Sequence, residues 1–226
     1  MYSLVLLSHA GIGVVALAAY WTAGLAKKGS PVHRAAGKLF MLTMLFILVT
    51  SCVFVGRMLV QQQGEQAAFF AYLIVISGTA LATGWLSLRW KKDHRRYHGR
   101  WYRGLAAFNV LCGAGVLALG VQGGSPVLMG FSLVGLLRGS AMLHLSRQAE
   151  SPRWWLREHL GSMIGNGVAV HVAFLLVGLN RLLPPDWRGH TELIGWLLPL
   201  AVAGVAGVVF GRRYRATTKP LSANGA

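Results

Sequence analysis

Acidic residues are almost missing from this chain of 226 residues. Six Asp and Glu stand against 22 Lys and Arg, and only 12% of positions are charged. A soluble domain carries about 25% charged residues. The deficit, with 54% hydrophobic residues, excludes an ordinary soluble globule and points to lipid as the solvent. A formal charge of +16 would suggest nucleic acid in a soluble protein. Here the basic residues sit between apolar runs, so topology explains them and no nucleic-acid partner is expected. Cysteine is scarce too. Cys52 and Cys112 both lie in apolar runs and no CxxC occurs, which excludes a disulfide scaffold and a thiol redox motif.

Other absences narrow the field further. There is no HExxH, and only Glu158 and Glu192 approach the apolar segments, so zinc-dependent hydrolysis is a minor alternative. The last apolar segment, LIGWLLPLAVAGVAGVVF, has no lysine to form a retinal Schiff base. No internal repeat is visible, which weighs against an inverted-repeat transporter. The N-terminal run lacks a basic leader and is too long for a signal-peptide core, so it reads as a retained membrane helix.

What is present is a set of seven apolar segments, at about 2–26, 33–60, 66–88, 100–122, 125–146, 155–182 and 191–211. Each is long enough to cross a bilayer, which takes roughly 20 apolar residues as a helix. The linkers are short. Gln122-Gly-Gly-Ser-Pro126 separates the fourth and fifth segments, and Pro184-Pro-Asp-Trp-Arg-Gly189 the sixth and seventh. The expectation is an all-α, seven-transmembrane-helix bundle over residues 1–212 with a disordered cytoplasmic tail at 213–226.

The basic residues alternate between its two ends. One end collects Lys27, Lys28, Arg34 and Lys38; Arg89, Lys91, Lys92, Arg95, Arg96, Arg100 and Arg103; Arg147, Arg153 and Arg157; and Arg212, Arg213, Arg215 and Lys219. The other end has Arg57, Arg181 and Arg188. The positive-inside rule then puts the N-terminus outside and the C-terminus in the cytoplasm. The implied setting is a bacterial inner membrane.

The sixth segment looks central. It carries Glu158, His159, Asn166 and His171, with a ladder of small residues at four-residue steps, Gly161, Gly165, Ala169 and Ala173. That ladder is expected to let a neighbouring helix approach closely. Intramembrane polar residues are costly, so their depths matter. From 1.5 Å per residue, His9 lies about 10 Å and His171 about 15 Å from the outer end, close enough to share a layer. His190 and Glu192 would cap that layer. His33, His98, His144 and His159 form a second layer at the inner ends. Asn109, Arg138 and Asn166 fall between, about 14–17 Å from the inner end. Arg138 wants an anionic partner: a carboxylate, a haem propionate or a lipid phosphate. No acid lies at its own level, though a snorkelling side chain could reach toward Glu158. Histidines near helix ends, His33, His94, His98 and His190 among them, serve equally well as interfacial residues.

Neutral imidazole is a good iron ligand, and two histidines on facing helices are a common way to hold a b-type haem. His9 and His171 are the candidate outer ligands, for haem or for a metal such as zinc. His33, His98, His144 and His159 are the inner candidates, with Arg138 toward a propionate. His159 and His171 are 12 residues apart and about 120° apart around the helix, so two haems stacked along this one segment are not signalled.

A resemblance accompanies these residues. His9-x-x-x-Gly13, Ala16-Leu17, Gly24, Lys28-Gly29 and His33-Arg34-x-x-Gly37-x-x-Phe40 are joined by His98, Arg100, Trp101 and Arg103, and by Glu158-His159 before a small-residue run. Together they resemble a family of bacterial multi-spanning membrane proteins filed under a domain of unknown function. More loosely, they look like b-type cytochrome and oxidase-assembly membrane proteins. The resemblance implies a polytopic inner-membrane protein with polar sites built from His and Arg. It supplies no reaction; the histidines carry the expectation of electron transfer through haem b, with quinone or another redox partner and a possible homo-oligomer. The rivals are a transporter or channel for a small solute or proton, routed through Asn109, Arg138 and Asn166, and a non-catalytic scaffold or assembly factor.

Overall fold

The structure is a computed structural model. It describes residues 2–179 and 184–216, with side chains for 2–176, 184 and 193–212. The described residues form helices and no strands. The helices are α1 (Tyr2–Leu25), α2 (Pro31–Val60), α3 (Gly64–Arg89), a single turn α4 (His94–Tyr97), α5 (Arg100–Gln122), α6 (Pro126–Leu145), α7 (Trp154–Ala173) and α8 (Pro185–Ala216). The end of α7 widens into a π-helix over Phe174–Leu179. Seven spans among them are long and apolar enough to cross a membrane, as the apolar runs predict, so the fold defines a multi-pass helical membrane protein.

Local chemistry sets the boundaries. Ser30 caps α2 by accepting from the His33 backbone N–H, with Pro31 in the first turn, where its missing donor costs nothing. Ser125 and Pro126 open α6 in the same way. Asp93 accepts from the Arg96 N–H and opens α4, a turn hidden within what the sequence reads as a linker. The last helix is longer than expected. Pro185 begins it instead of belonging to the separating loop, and it runs on to Ala216. Proline at a first helical position is pre-organised for helix rather than opposed to it. Arg181 and residues 217–226 of the expected tail lie outside the described residues, as do the side chains of Arg188, His190 and Glu192.

The helices close into a ring: α1 packs on α2, α2 on α3, α3 on α5, α5 on α6, α6 on α8, α8 on α7, and α7 back on α1. An α3–α7 contact crosses the middle. One lobe buries Ala16, Ala19, Phe40, Met44 and Val170. The other buries Phe69, Tyr72, Val116, Leu128, Phe131 and Val172. A third cluster, of Tyr97, Tyr102, Ala106, Met142 and Trp154, closes the basic end. Large apolar side chains such as Leu7, Leu42, Val49, Leu111 and Leu137 point outward, the arrangement lipid favours over water.

The closest approach of one helix backbone to another is between α5 and α6. A Cβ on Gly139 would stand 2.7 Å from the Ala106 carbonyl oxygen, and one on Gly120 would stand 2.9 Å from the Met129 nitrogen. The α7 ladder does not play this part. A Cβ on Gly161 would meet nothing within 4 Å, and one on Gly165 would make only an ordinary 3.6 Å contact with Ala80. The face of α7 that turns inward carries Trp154, Glu158, Ser162, Asn166 and Val170. In lipid the interior face is the one that must shelter polar groups, so the polar stripe wins the burial and the small-residue ladder is left largely outside it.

Candidate functional site

Glu158 sits one turn into α7 and is 4% exposed. Its Oε2 accepts three hydrogen bonds: from Arg138 Nη2 of α6 at 2.8 Å, from the Tyr97 hydroxyl at 2.9 Å and from the Tyr102 hydroxyl at 3.1 Å. Helix geometry explains how Arg138 gets there. Its side chain is long enough to run along the bundle, and it reaches the acid that lies closer to the surface. The pair is the one ion pair among the described residues. Two tyrosines complete the site, and sequence reasoning missed both. Tyr97 lies in α4 and Tyr102 in the first turn of α5, both inside the basic stretch, where only the charges draw notice. Asp93, a helix-capping residue three positions before Arg96, signals a turn there, but not that the turn tucks Tyr97 inward.

Tyr97 donates to Glu158 while its hydroxyl also lies 3.2 Å from the Thr83 carbonyl of α3. From there buried polar groups follow one face of α3, which looks first onto α7, then onto α5, and two turns further on onto α6. Thr83 and Ser162 share a hydrogen bond of 2.8 Å. One turn on, Asn109 of α5 donates to the Thr79 hydroxyl at 2.7 Å. Further along, the Tyr72 hydroxyl donates to the Phe131 carbonyl and accepts from the Gly135 N–H, each at 2.9 Å. Thr79, Thr83, Asn109, Ser162 and Asn166 are all at most 2% exposed. Beyond Tyr72, three aromatic rings close the seam: Phe69 stands 5.7 Å from Phe131 and 5.4 Å from Trp196, centroid to centroid.

The two ends of this run meet spaces of very different size. Above Phe69 is an open recess of about 380 Å³ lined by Gln62, Gln63, Glu65, Gln66, Phe69 and Leu128. At the basic end a cavity of about 10 Å³ touches Glu158, His94, His98, Gln148, Trp154 and Arg157, room for about one water molecule. The indole N–H of Trp154 is buried there without a partner.

The histidines are dispersed. His9 Nδ1 donates to the Thr50 hydroxyl at 2.7 Å. His171 is satisfied at both ring nitrogens: Nδ1 donates to the Gly167 carbonyl at 2.6 Å, and Nε2 accepts from Trp21 Nε1 at 3.1 Å. His9 and Trp21 are 12 residues apart on α1, about 18 Å along its axis, so the expected His9–His171 layer does not form. Side chains lean toward the N-terminus of their own helix. The stagger of α7 on α1 is the main reason: Gly167 lies against Tyr20 and Val170 packs with Ala16 and Ala19, so the His171 backbone is about two turns from His9 before the rings lean apart.

The inner set is no closer to a ligand cage. His33 Nδ1 and His159 Nδ1 are turned to the carbonyls of Ala23 and Gly84. His98 stacks on His94 at 4.1 Å. His144 accepts from Gln148 on the exposed side. Among the described residues no group of three or more His, Cys, Asp or Glu is arranged to hold a metal ion. With His171 Nε2 already taken and Arg138 turned to Glu158 instead of a propionate, this donor set does not fit a haem or zinc between α1 and α7.

No protein family, curated protein or solved structure matches the chain. The likeness drawn from the His9–Phe40, His98–Arg103 and Glu158-His159 stretches therefore rests on those residues alone.

Proposed function

We propose that this protein is a transporter or channel of the bacterial cytoplasmic membrane that passes a small polar solute or protons along the buried face of α3, with its basic end in the cytoplasm. One observation carries the reading: buried polar side chains along α3, with Glu158, Ser162, Thr83, Thr79 and Asn109 in one group and Tyr72 two turns on, an open recess beyond Tyr72 and a one-water cavity beside Glu158. Polar groups at membrane depth are costly and collect along routes for polar cargo. The geometry described is a closed state. Phe69, Phe131 and Trp196 plug one end, and the Glu158–Arg138–Tyr97–Tyr102 cluster plugs the other. A buried carboxylate held by breakable hydrogen bonds is suited to act as the moving part.

The test is flux into sealed liposomes holding the purified protein, read by osmotic swelling for solutes and by an internal dye for protons. Wild type should discharge a gradient faster than empty vesicles. Phe69→Ala, which removes the ring at the floor of the recess, should raise the rate. Vesicles that stay as tight as empty ones to every probe, with either protein, would sink the proposal.

A further inference from the structure

Three buried polar atoms in the middle of the seam have no partner in the protein: Asn166 Oδ1, Asn166 Nδ2 and Asn109 Oδ1. Their residues are 0% and 1% exposed. Helix register brings them together. Thr83 of α3 bonds Ser162 of α7, and the two helices run antiparallel. One turn from each, Thr79 comes opposite Asn166. Asn109 reaches the same Thr79 from α5, where the hydroxyl accepts from its Nδ2. Two amides thus flank one hydroxyl and leave two acceptors and a donor unused. A buried amide without partners is destabilising, because it has given up its hydrogen bonds to water. A purely structural seam would be expected to satisfy its amides, as it satisfies Thr83, Ser162 and Tyr72.

We infer that Asn166, Asn109 and Thr79 form a binding station for a small uncharged molecule that offers two hydrogen-bond donors and one acceptor: water, urea or a primary amide. This rests on the permeation reading above and names its substrate class. The charge balance selects against ions. Glu158 and Arg138 cancel one another in a single 2.8 Å contact, and Glu158 is the one buried carboxylate among the described residues. Within the buried seam a cation would meet amide oxygens but no free carboxylate, since Glu65 stands at the exposed recess. An anion would meet one amide N–H₂ and no free guanidinium. An uncharged amide or water uses all three orphaned atoms at once. The recess at the far end, with Gln62, Gln63 and Gln66 in its lining, presents the same amide chemistry at the entrance.

The experiment is stopped-flow swelling of liposomes carrying the full-length protein, with water, urea and formamide as separate probes, beside potassium and proton flux in the same vesicles. Wild type should pass uncharged probes and exclude potassium. The three probes then tell water from the amide-bearing solutes. Asn166→Leu should cut the uncharged flux about tenfold, the scale of one hydrogen bond lost at the limiting step. It should also melt no lower than wild type, because it removes an unsatisfied amide. Asn166→Asp keeps the shape and replaces the donor, and it serves if the leucine variant does not fold; it too should lower urea flux. Unchanged urea and water flux in both variants would overturn the station. A wild type that passes only protons or potassium would overturn the substrate class while leaving permeation standing. No flux of any probe, with Phe69→Ala equally silent, would bring down both.

Discussion

At the scale of single residues, the structure turns on Glu158. Three donors converge on one carboxylate oxygen, and hydrogen bonds to a charged acceptor contribute about 1.5–3 kcal/mol each. Removing one partner of a buried pair leaves the other charge without compensation, at about 3–5 kcal/mol. Arg138 keeps 27% of its side chain accessible, so the lower part of that range is expected. Glu158→Gln should therefore lower thermal stability in detergent markedly, and Glu158→Gln with Arg138→Met should recover most of the loss. If the double variant melts as low as the single one, the ion pair is not what holds α6 to α7. Sequence reading reached half of this site. A snorkelling Arg138 toward Glu158 follows from side-chain length. Tyr97 and Tyr102 do not, because their part depends on a four-residue turn within a linker. The His9–His171 layer failed because apolar runs do not fix the stagger of two helices: Gly167 lies against Tyr20 and Val170 against Ala16 and Ala19, about two turns from His9.

At the scale of elements, seven spans were legible because lipid demands long apolar helices with every backbone group satisfied internally. Which face turns inward was not legible. Four-residue steps pick out two neighbouring stripes on α7, one of small residues and one of Glu158, Ser162 and Asn166, and composition alone does not rank them. Close approach belongs instead to α5 and α6, where Gly113 and Gly120 face Ser132, Leu136, Leu128 and Met129, and Gly135 and Gly139 face Tyr72, Asn109, Ala106 and Val110. A side chain at Gly139 would press on the Ala106 carbonyl and the Val110 nitrogen, atoms that move only with their helix. Gly139→Leu should therefore destabilise the protein by about 1–3 kcal/mol. Gly161→Ala should be neutral or stabilising by up to about 1 kcal/mol, as open space lets helix propensity decide. Thermal melts of the two variants in one detergent make the comparison, and equal losses would refute this placement of the close interface.

At the scale of the whole molecule, the basic charge is not matched by acid. The sequence reading assigns eighteen basic residues to one end, yet the single ion pair among the described residues uses Arg138, which is not one of them. Lys91, Lys92, Arg95 and Arg96 are exposed; Arg96 lies 4.6 Å over the Trp90 ring and Lys91 5.9 Å from the Trp155 ring, contacts that leave their charge to the surroundings. Charge that folding does not use is available to anionic headgroups and to the insertion machinery, which retain basic loops on the cytoplasmic side. The orientation proposed above then becomes measurable. With Cys52 and Cys112 replaced by alanine, Gln62→Cys lies in the α2–α3 connection and Lys92→Cys in the α3–α4 connection, at opposite ends of one helix. A membrane-impermeant thiol reagent should label Gln62→Cys in intact cells and Lys92→Cys only after permeabilisation. The reverse pattern would place the amide-lined recess in the cytoplasm and the Glu158 cluster outside. The buried path would be unchanged, but the side from which each opening is loaded would be exchanged.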